Sequence, residues 1–194
     1  GQGLIHFSDA TSGNARYDGF IGYEQTSRAL KFGTAQAERL RIDNNGRVLI
    51  NTTSNTNAHT QSDDLIVGNT SHGHDTGITI VSNPSYSGWL AFSDGTSADD
   101  QRKASIVYQH SQDTLYFRNN GNQNRIIINS DGYVTKPHNA MFKAVRTTNQ
   151  SISSAGWHVI QFNSDSATGC FDVGNNFDTS NHRFTAPVTG YYQF

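Results

Sequence analysis

The segment His72-Gly73-His74 is the closest approach to a metal-ligand motif in the chain. On a β-strand, residues i and i+2 lie on one face. Three chains around a common axis would therefore present three pairs of imidazoles, a set that suits a first-row transition metal. The neighbouring Ser71 and Asp75 give the segment the composition of a loop, which favours solvated histidines, so we expect no metal and no cofactor. The remaining histidines are scattered along the chain: His6, His59, His110, His138, His158 and His182.

Carboxylates are numerous, but their types and spacing do not predict catalysis. Only Glu24 and Glu38 are glutamates among the 16 acidic residues. A glycosidase needs two carboxylates that face each other about 5 to 10 Å apart, whereas the neighbours in Asp63-Asp64 and Asp99-Asp100 would point to opposite faces of a strand. We expect no catalytic residue and no enzyme. Aspartates in contexts typical of turns are Asp9, Asp94, Asp113 and Asp131.

The single cysteine and the absence of nucleotide or zinc motifs remove further classes of site. Cys170 has no partner for an intrachain disulfide, and free cysteine is among the most buried residue types. We expect it to be a small buried hydrophobe. The chain contains no glycine-rich phosphate loop, no zinc-ligand spacing and no serine nucleophile elbow.

An arginine cluster is the only feature that suggests nucleic acid. Arg39, Arg41 and Arg47 lie close together, with aromatic residues nearby. The net charge of -2 gives no electrostatic footprint for a polyanion, so we expect no nucleic-acid partner. We expect these arginines to pair across chains of an assembly with acids such as Glu38 and Asp43.

Aromatic side chains could bind sugars by stacking or could fill a core. Trp89, Trp157, Tyr116 and Tyr133 occur in apolar patterns, and buried aromatics contribute large contact areas. We expect them to fill the core of an assembly. Tyr86 lies in a loop-like segment and is the best candidate for an exposed contact.

The sequence contains an internal repeat, and its two copies would position most of these residues. Phe7-Ser8-Asp9 returns as Phe92-Ser93-Asp94, 85 positions later. With one inserted residue, Ile42 returns as Ile128. Recurring units of this kind indicate a modular, extended protein and not a single globule with an enzyme pocket.

Alternating apolar residues predict short β-strands throughout. Leu40, Ile42, Val48 and Ile50 alternate on either side of the segment 43–46, which predicts a hairpin with one apolar face. The arginines would occupy the other face, so that one face is buried and the other meets water or a neighbouring chain. The segment 34–40 is the only short candidate for a helix.

Composition shifts divide the chain into three parts. A polar stretch at 51–64 and the dipeptide Lys136-Pro137 predict boundaries, giving repeats at 1–64 and 65–136 and a third module at 137–194. Both ends of the sequence look cut, the second within an apolar strand pattern.

Hydrophobic residues make up only 34% of the 194 residues, a small fraction for a self-sufficient core. The 11% aromatic content and low net charge argue against disorder. We therefore expect a core shared between chains. No apolar run approaches the ~20 residues that span a bilayer, and no segment looks like a signal peptide, so we expect no membrane insertion.

The twice-occurring pattern Ile-x-Tyr, Leu-x-Phe, Arg-x-x-Ile-(Asp/Asn)-x-x-Gly-x-Val spans Ile21–Val48 and Ile106–Val134. It resembles the repeated β-rich shaft segments of bacteriophage tail fibres, over roughly residues 3 to 136, with Glu38–Val48 as the closest piece. A second resemblance begins at Ala140 and includes Val159-Ile-Gln-Phe-Asn. Its most specific part is Phe-Thr-Ala-Pro-x-x-Gly-x-Tyr at Phe184–Tyr192, which looks like the first half of a complement-type head, a jelly roll of the tumour necrosis factor kind.

Both resemblances imply a parallel homotrimer around a long axis. The expected fold is all-β: an elongated trimeric fibre of short-stranded repeats followed by the first half of a jelly-roll head. The implied function is a virion tail component that presents a receptor-binding head. Its implied partners are other phage tail proteins and a glycan or protein receptor on the host cell surface. Two alternatives stay open, namely a virion-associated polysaccharide depolymerase and a cellular trimeric adhesin or lectin with the same head.

Overall fold

The computed structural model describes residues 1–71 and 73–194, and it is all-β, as the sequence predicted. The chain divides into two units, Gly1–Thr79 and Ile80–Phe194. The described residues contain no α-helix. Their helical turns are three short 3-10 segments, Asn14–Tyr17, Asp100–Arg102 and His110–Gln112.

The first unit holds a six-stranded sheet in the order β1-β2-β3-β4-β5-β6. Neighbouring strands are antiparallel except for β5 and β6, which are parallel. The strands are β1 (Gln2–Phe7), β2 (Gly19–Glu24), β3 (Ala29–Thr34), β4 (Ala37–Ile42), β5 (Val48–Ile50) and β6 (Leu65–Val67).

The second unit begins with a five-stranded sheet in the same order along the chain, antiparallel throughout. Its strands are β7 (Ser87–Phe92), β8 (Ala104–Gln109), β9 (Thr114–Asn119), β10 (Gln123–Ile128) and β11 (Val134–Thr135).

The sequence repeat is also a structural repeat. Strands β1, β2 and β3 correspond to β7, β8 and β9 at the offset of 85, and β4 corresponds to β10 at the offset of 86. The cross-strand register is the same, since Ile5 faces Ile21 in the first sheet and Leu90 faces Ile106 in the second. The inserted residue lies in the turn before β10, where Asn120–Asn122 replace the two-residue turn 35–36.

Each copy has a β-bulge at the same place. Arg39 in β4 and Arg125 in β10 have no direct cross-strand partner, and the register shifts there. Arg39 donates from Nε to Thr34 Oγ1 at 3.3 Å, and Arg125 donates from Nε to Asn119 Oδ1. The bulge and its side-chain bond are therefore common to both copies.

The segment 34–40, which we named as a helix candidate, is not helical. It runs from the end of β3 through the turn 35–36 into β4, where β3 supplies a cross-strand partner.

The predicted hairpin between β4 and β5 is confirmed, with a loop longer than two residues. The Asp43 and Arg47 backbones close it, and Gly46 alone within it has a positive φ, of 84°. The β10–β11 loop repeats this arrangement with Gly132 at φ 82°. A left-handed glycine fits here because a Cβ would be strained at that φ.

The boundaries at 64 and 136 stay predictions, but the structure shows to which sheet the strand just after residue 64 belongs. Strand β6, which we assigned to the second repeat, pairs in parallel with β5 and so belongs to the first sheet. The polar stretch 51–64 is the crossover that a parallel pairing requires.

The region after 136 contains two small antiparallel pairs. Strand β12 (Met141–Lys143) pairs with β13 (Phe171–Val173), and β14 (Phe177–Asp178) pairs with β15 (Arg183–Phe184). Phe142 stacks on Phe177 and on Phe184, with ring centroids 4.8 and 4.9 Å apart.

Alternating apolar residues predicted strands throughout the chain, but the apolar run 157–162 forms none in the described structure. The Gln150 carboxamide occupies the place of a partner, since it donates to the Val159 carbonyl at 2.9 Å and accepts from the Gln161 N–H at 3.0 Å. Among the described residues, no helix is both long and apolar enough to cross a bilayer.

Candidate functional site

One face of the first sheet is mostly apolar in the matched rows of its strands, with Thr34 at one end as its polar member. The cross-strand register puts Leu40 and Ile42 of β4 opposite Ile50 and Val48 of β5, which confirms the predicted shared face. We call this surface the apolar face. Its side chains in the first sheet are Ile5, Phe7, Ile21, Tyr23, Leu30, Phe32, Leu40, Ile42, Val48, Ile50, Leu65 and Val67.

The second sheet presents the same apolar face at matched positions. Its side chains there are Leu90, Phe92, Ala104, Ile106, Tyr108, Leu115, Phe117, Ile126, Ile128 and Val134.

The apolar face is partly open to solvent within the single chain, most of all on its outer strands, while central side chains such as Leu30 and Ile128 are half-buried. Ile5 is 64% exposed and Leu65 54% in the first sheet, and Leu90 is 51% exposed and Val134 59% in the second. Soluble monomers rarely expose contiguous apolar surface beyond a few hundred Å², and larger patches mark interaction sites. The apolar face, which both sheets share, is therefore a candidate interaction surface.

The opposite face of the first sheet is better covered. We expected the arginine-bearing face to meet water or another chain, but Leu49, which faces Arg41 across the ladder, is only 1% exposed. The crossover segment contacts this face, since Arg41 donates to the Thr53 carbonyl at 3.4 Å. We call this side of the first sheet the charged face.

Four ionised side chains form a network on the charged face. The Lys31 ammonium lies 2.6 Å from Glu24 Oε2 and 3.4 Å from Glu38 Oε2. Arg41 binds Glu38 through two nitrogens, Nε to Oε1 and Nη2 to Oε2, the second at 2.9 Å. Because two cations meet two anions, the network has no net charge.

The network keeps both glutamates ionised. The hydrogen bond from Lys31, followed by that from Ser27, lowers the pKa of Glu24 to about 2. For Glu38, burial acts to raise the pKa, but hydrogen bonding and charge from Arg41, with the charge of Lys31, outweigh it and lower the pKa.

Two of the three arginines, Arg41 and Arg47, pair within the chain with acids that we predicted, while Arg39 donates to Thr34 instead; pairing across chains stays a prediction. Arg47 reaches Asp43 at 2.7 Å and Asp63 at 2.8 Å, and Arg41 binds Glu38 as described. The physical reason is proximity, because the β4–β5 loop brings Arg47 back onto Asp43, whose Oδ1 also accepts from the Arg47 N–H.

A cavity of about 310 Å³ opens on the charged face, beside Leu4, His6, Tyr17 and Lys31. Two glycines beside it leave room for larger neighbours. A Cβ on Gly33 would lie 2.0 Å from Phe20 Cε1, and a Cβ on Gly22 would lie 2.4 Å from Leu4 Cδ2. The Phe20 ring therefore lies directly over the Gly33 backbone, and the side chain of Leu4 over that of Gly22.

Three polar side chains that line this cavity are exposed to solvent. The His6 imidazole, the Tyr17 hydroxyl and the Gln36 carboxamide make no side-chain hydrogen bond within the described residues. The His6 and Tyr17 rings meet edge to face with centroids 5.0 Å apart, so each fixes the other's orientation. Tyr17 is 47% exposed.

The second sheet fills the corresponding space. Val107 replaces Gly22 and is 1% exposed, and Arg118 replaces Gly33. The Arg118 guanidinium lies 4.4 Å from the Tyr116 ring centroid and 5.4 Å from that of Trp89. The two sheets thus share the apolar face and differ on the other.

One aspartate of each adjacent pair, Asp63 and Asp100, is bound by side chains of the same chain. Asp63 binds Arg47, while Asp100 accepts from Ser97 Oγ at 2.6 Å and lies 3.4 Å from Lys103 Nζ. The aspartates expected in turns lie in bends or turns: Asp9, Asp94, Asp113 and Asp131.

The histidine pair is only half described. His72 lies outside the described residues, and the His74 imidazole is bonded to the Asp75 carbonyl at 3.0 Å through Nδ1. In the described part of the chain, no three histidine, cysteine or acidic side chains come together as a metal site. Cys170 is a free thiol of intermediate burial, more accessible than we predicted.

The predicted aromatic residues take different positions. Tyr116 is buried at 9% exposure, and Trp89 is partly covered by Arg118. Tyr86 is exposed, as we predicted. Tyr133 and Trp157, which we expected in the core of an assembly, are also exposed in the single chain.

A second, larger cavity of about 1000 Å³ lies in the region after 136, beside the phenylalanine stack of Phe142 and Phe184. Its lining includes seven Phe or Tyr side chains, among them Tyr191 and Phe194. Neither cavity was predicted from the sequence. The signal for the first was the difference between the copies at its lining positions, where His6, Tyr17 and Phe20 correspond to Ala91, Arg102 and Ser105.

Comparison of the chain with protein-family models, with curated proteins and with solved structures found no match to any of them.

Proposed function

We propose that this chain is a structural and adhesive part of a phage tail fibre, in which parallel copies associate through the apolar face. The observation that carries the proposal is the uncovered apolar face, present in register in both sheets. An exposed surface of this kind is unfavourable in water for an isolated chain, and covering it with the same surface of other copies removes that cost.

The repeat supports association along the whole length of the two sheets. Because the apolar positions recur at a fixed offset, a contact made by one repeat can be made again by the next. Each further contact in a linked array acts at high effective concentration, so weak contacts add strongly. Cyclic assembly around one axis also closes the interface and leaves no uncovered apolar face.

The exposed edge of the first sheet also supports association of copies. Strand β1 is an edge strand in which all six residues are exposed, and Ile5 and Phe7 belong to the apolar face. An exposed apolar edge is a template for pairing with another chain. Association of copies would protect this edge from uncontrolled aggregation.

The region after 136 serves in this proposal as the start of a head that contacts the host receptor. Its exposed aromatic residues, among them Trp157 and Tyr191, resemble the composition of contact surfaces. The shaft repeats would hold this head away from the virion.

Mass measurement in solution tests the proposal. Light scattering after size exclusion should give about three times the chain mass of 21.3 kDa, and the assembly should survive unheated detergent electrophoresis. A mass of 21.3 kDa at micromolar concentrations would contradict the shared apolar face. Release of reducing sugar from host polysaccharide would instead support the depolymerase alternative.

A further inference from the structure

We propose that the cavity beside His6 and Tyr17 on the charged face of the first sheet binds an uncharged oligosaccharide of the host surface. The inference rests on the proposed adhesive function and adds to it a ligand class and a site along the shaft.

The shape of the site comes from side chains on the charged face and from Tyr17 beside it. Leu4 and Phe20 occupy the space that a Cβ would take on Gly22 and Gly33, and both line the cavity. Its volume, about 310 Å³, is at the lower end of the range for small-molecule sites. It suits one or two sugar rings of a longer chain better than a folded partner.

The lining matches the two kinds of surface that a sugar presents. Tyr17 and Phe20 offer aromatic carbon to the C–H faces of a pyranose, and Tyr17 adds a hydroxyl at its polar end. His6, Gln36 and the hydroxyl of Tyr17 can exchange bonds with water for bonds with sugar hydroxyls.

The charges in the lining favour an uncharged ligand. Lys31 and Glu38 both line the cavity, and each is neutralised by the other and by its network partners Glu24 and Arg41. Their remaining donor and acceptor capacity gives charge-assisted bonds to hydroxyls, which are stronger than neutral ones. Within the lining itself, a sulfate or carboxylate on the ligand would meet no net positive charge; the cation beside it, Arg16, lies over the Tyr17 ring with Cζ 5.5 Å from the centroid.

The second sheet shows that these residues are not required for the architecture. At the matched positions it has Ala91 for His6, Arg102 for Tyr17 and Ser105 for Phe20, and it has the same strand order and register. The first copy therefore departs from its sister at the residues that make the cavity, while both retain the apolar face. This is the pattern expected of a binding site placed on a shared scaffold.

The orientation of the site fits an assembled fibre. Successive residues of a strand point to opposite faces, so His6 and Phe20 point away from the apolar face to which Ile5 and Ile21 belong. When the apolar faces of several copies are covered, the cavity stays open to solvent. Each copy in an assembly would then present one site.

The test uses sister-residue exchanges, because the same backbone position already holds these residues in the second sheet. The variants are Tyr17→Arg and His6→Ala, and the matched control is Tyr86→Ala, which removes an exposed aromatic side chain outside the cavity. The probes are maltotriose, lactose, mannotriose and chitotriose, with sialyllactose as the anionic comparator. Titration calorimetry and saturation-transfer NMR on the 194-residue chain measure binding.

We expect at least one uncharged probe to bind. The substitution Tyr17→Arg should lower the affinity for that probe at least tenfold and His6→Ala should lower it severalfold. Tyr86→Ala should leave the affinity unchanged. Binding of sialyllactose alone, binding of no probe, or equal binding by the parent and Tyr17→Arg would overturn the inference. Light scattering on the same samples separates the two proposals. An assembly that binds no sugar leaves the fibre proposal standing, and a monomer that binds sugar through Tyr17 leaves this site standing.

Discussion

The substitution Ile5→Ala asks whether the apolar face is covered when the chain is in solution. Ile5 lies on the apolar face and is 64% exposed in the single chain, and its neighbour Leu4 lies on the charged face and is 44% exposed. Both belong to edge strand β1, so Leu4→Ala is a matched control that differs in the face it affects. Leu49→Ala, at a side chain 1% exposed, is the positive control for a buried residue.

The expected cost follows from the exposed fraction. Burying an isoleucine side chain completely is worth about 1.5 to 3 kcal/mol. If association covers the exposed two thirds of Ile5, the assembly gains about 1 to 2 kcal/mol per chain from this residue alone. Surface substitutions without such a partner change the free energy of unfolding by about 0.5 kcal/mol or less, whereas Leu49→Ala should cost about 2 to 5 kcal/mol in either case.

Urea denaturation at several protein concentrations measures these costs, since the stability of an assembly depends on the concentration of its chains. Leu4 packs over Gly22 in its own chain, so Leu4→Ala should lower the midpoint by an amount that does not depend on protein concentration. Ile5→Ala should lower it in a concentration-dependent way and shift the mass distribution towards monomer. If the effect of Ile5→Ala does not depend on concentration and the mass is unchanged, while Leu49→Ala has its large effect, the covered apolar face is refuted.

Three further changes test other parts of the structure. Gly33→Ala should lower the free energy of unfolding by about 1 to 3 kcal/mol through overpacking, because its Cβ would lie 2.0 Å from Phe20 Cε1. The control is Gly3→Ala, whose Cβ would have no atom within 4 Å, and thermal unfolding of the two variants measures the difference. Gly132→Ala should cost about 1 kcal/mol from its φ of 82°, read by the same assay. The pKa of Glu24 is lowered from 4.5 to about 2 by Lys31, so its contribution to stability is complete above pH 4.5 and is lost as the pH falls through about 2. Glu24→Gln should flatten the dependence of the unfolding free energy on pH in that window, and an unchanged slope would contradict the ion pair.

The repeat made the strands predictable from the sequence. Alternation alone assigned Leu40 and Ile42 to one face, and the same pattern one repeat later gave an independent check on the register. The position of the inserted residue was also constrained, because the offset changes between Phe117 and Ile128. Local rules succeeded where the partner strand lay next in the chain.

The errors arose where the partner was distant or the backbone irregular. Strand β6 pairs in parallel with β5 across the crossover 51–64, and no local pattern in the sequence specifies such a pairing. The run 157–162 has a strand pattern, but a strand also needs a neighbouring backbone, and the Gln150 side chain takes that place. The bulge at Arg39 was hidden because alternation assumes a regular ladder.

The two faces of the repeated sheet experience different physical constraints. Phe32 and its counterpart Phe117 on the apolar face are the same residue type at the same register. In the proposed assembly, a side chain on this face would have to match a surface that recurs in the other repeat, whereas a side chain on the opposite face would have only its own sheet to satisfy. The opposite face does differ between the copies, with Gly33 under the Phe20 ring in one and Arg118 beside Tyr116 in the other. Under the two proposals, repetition of the scaffold would separate the residues that assemble it from the residues that acquire a ligand.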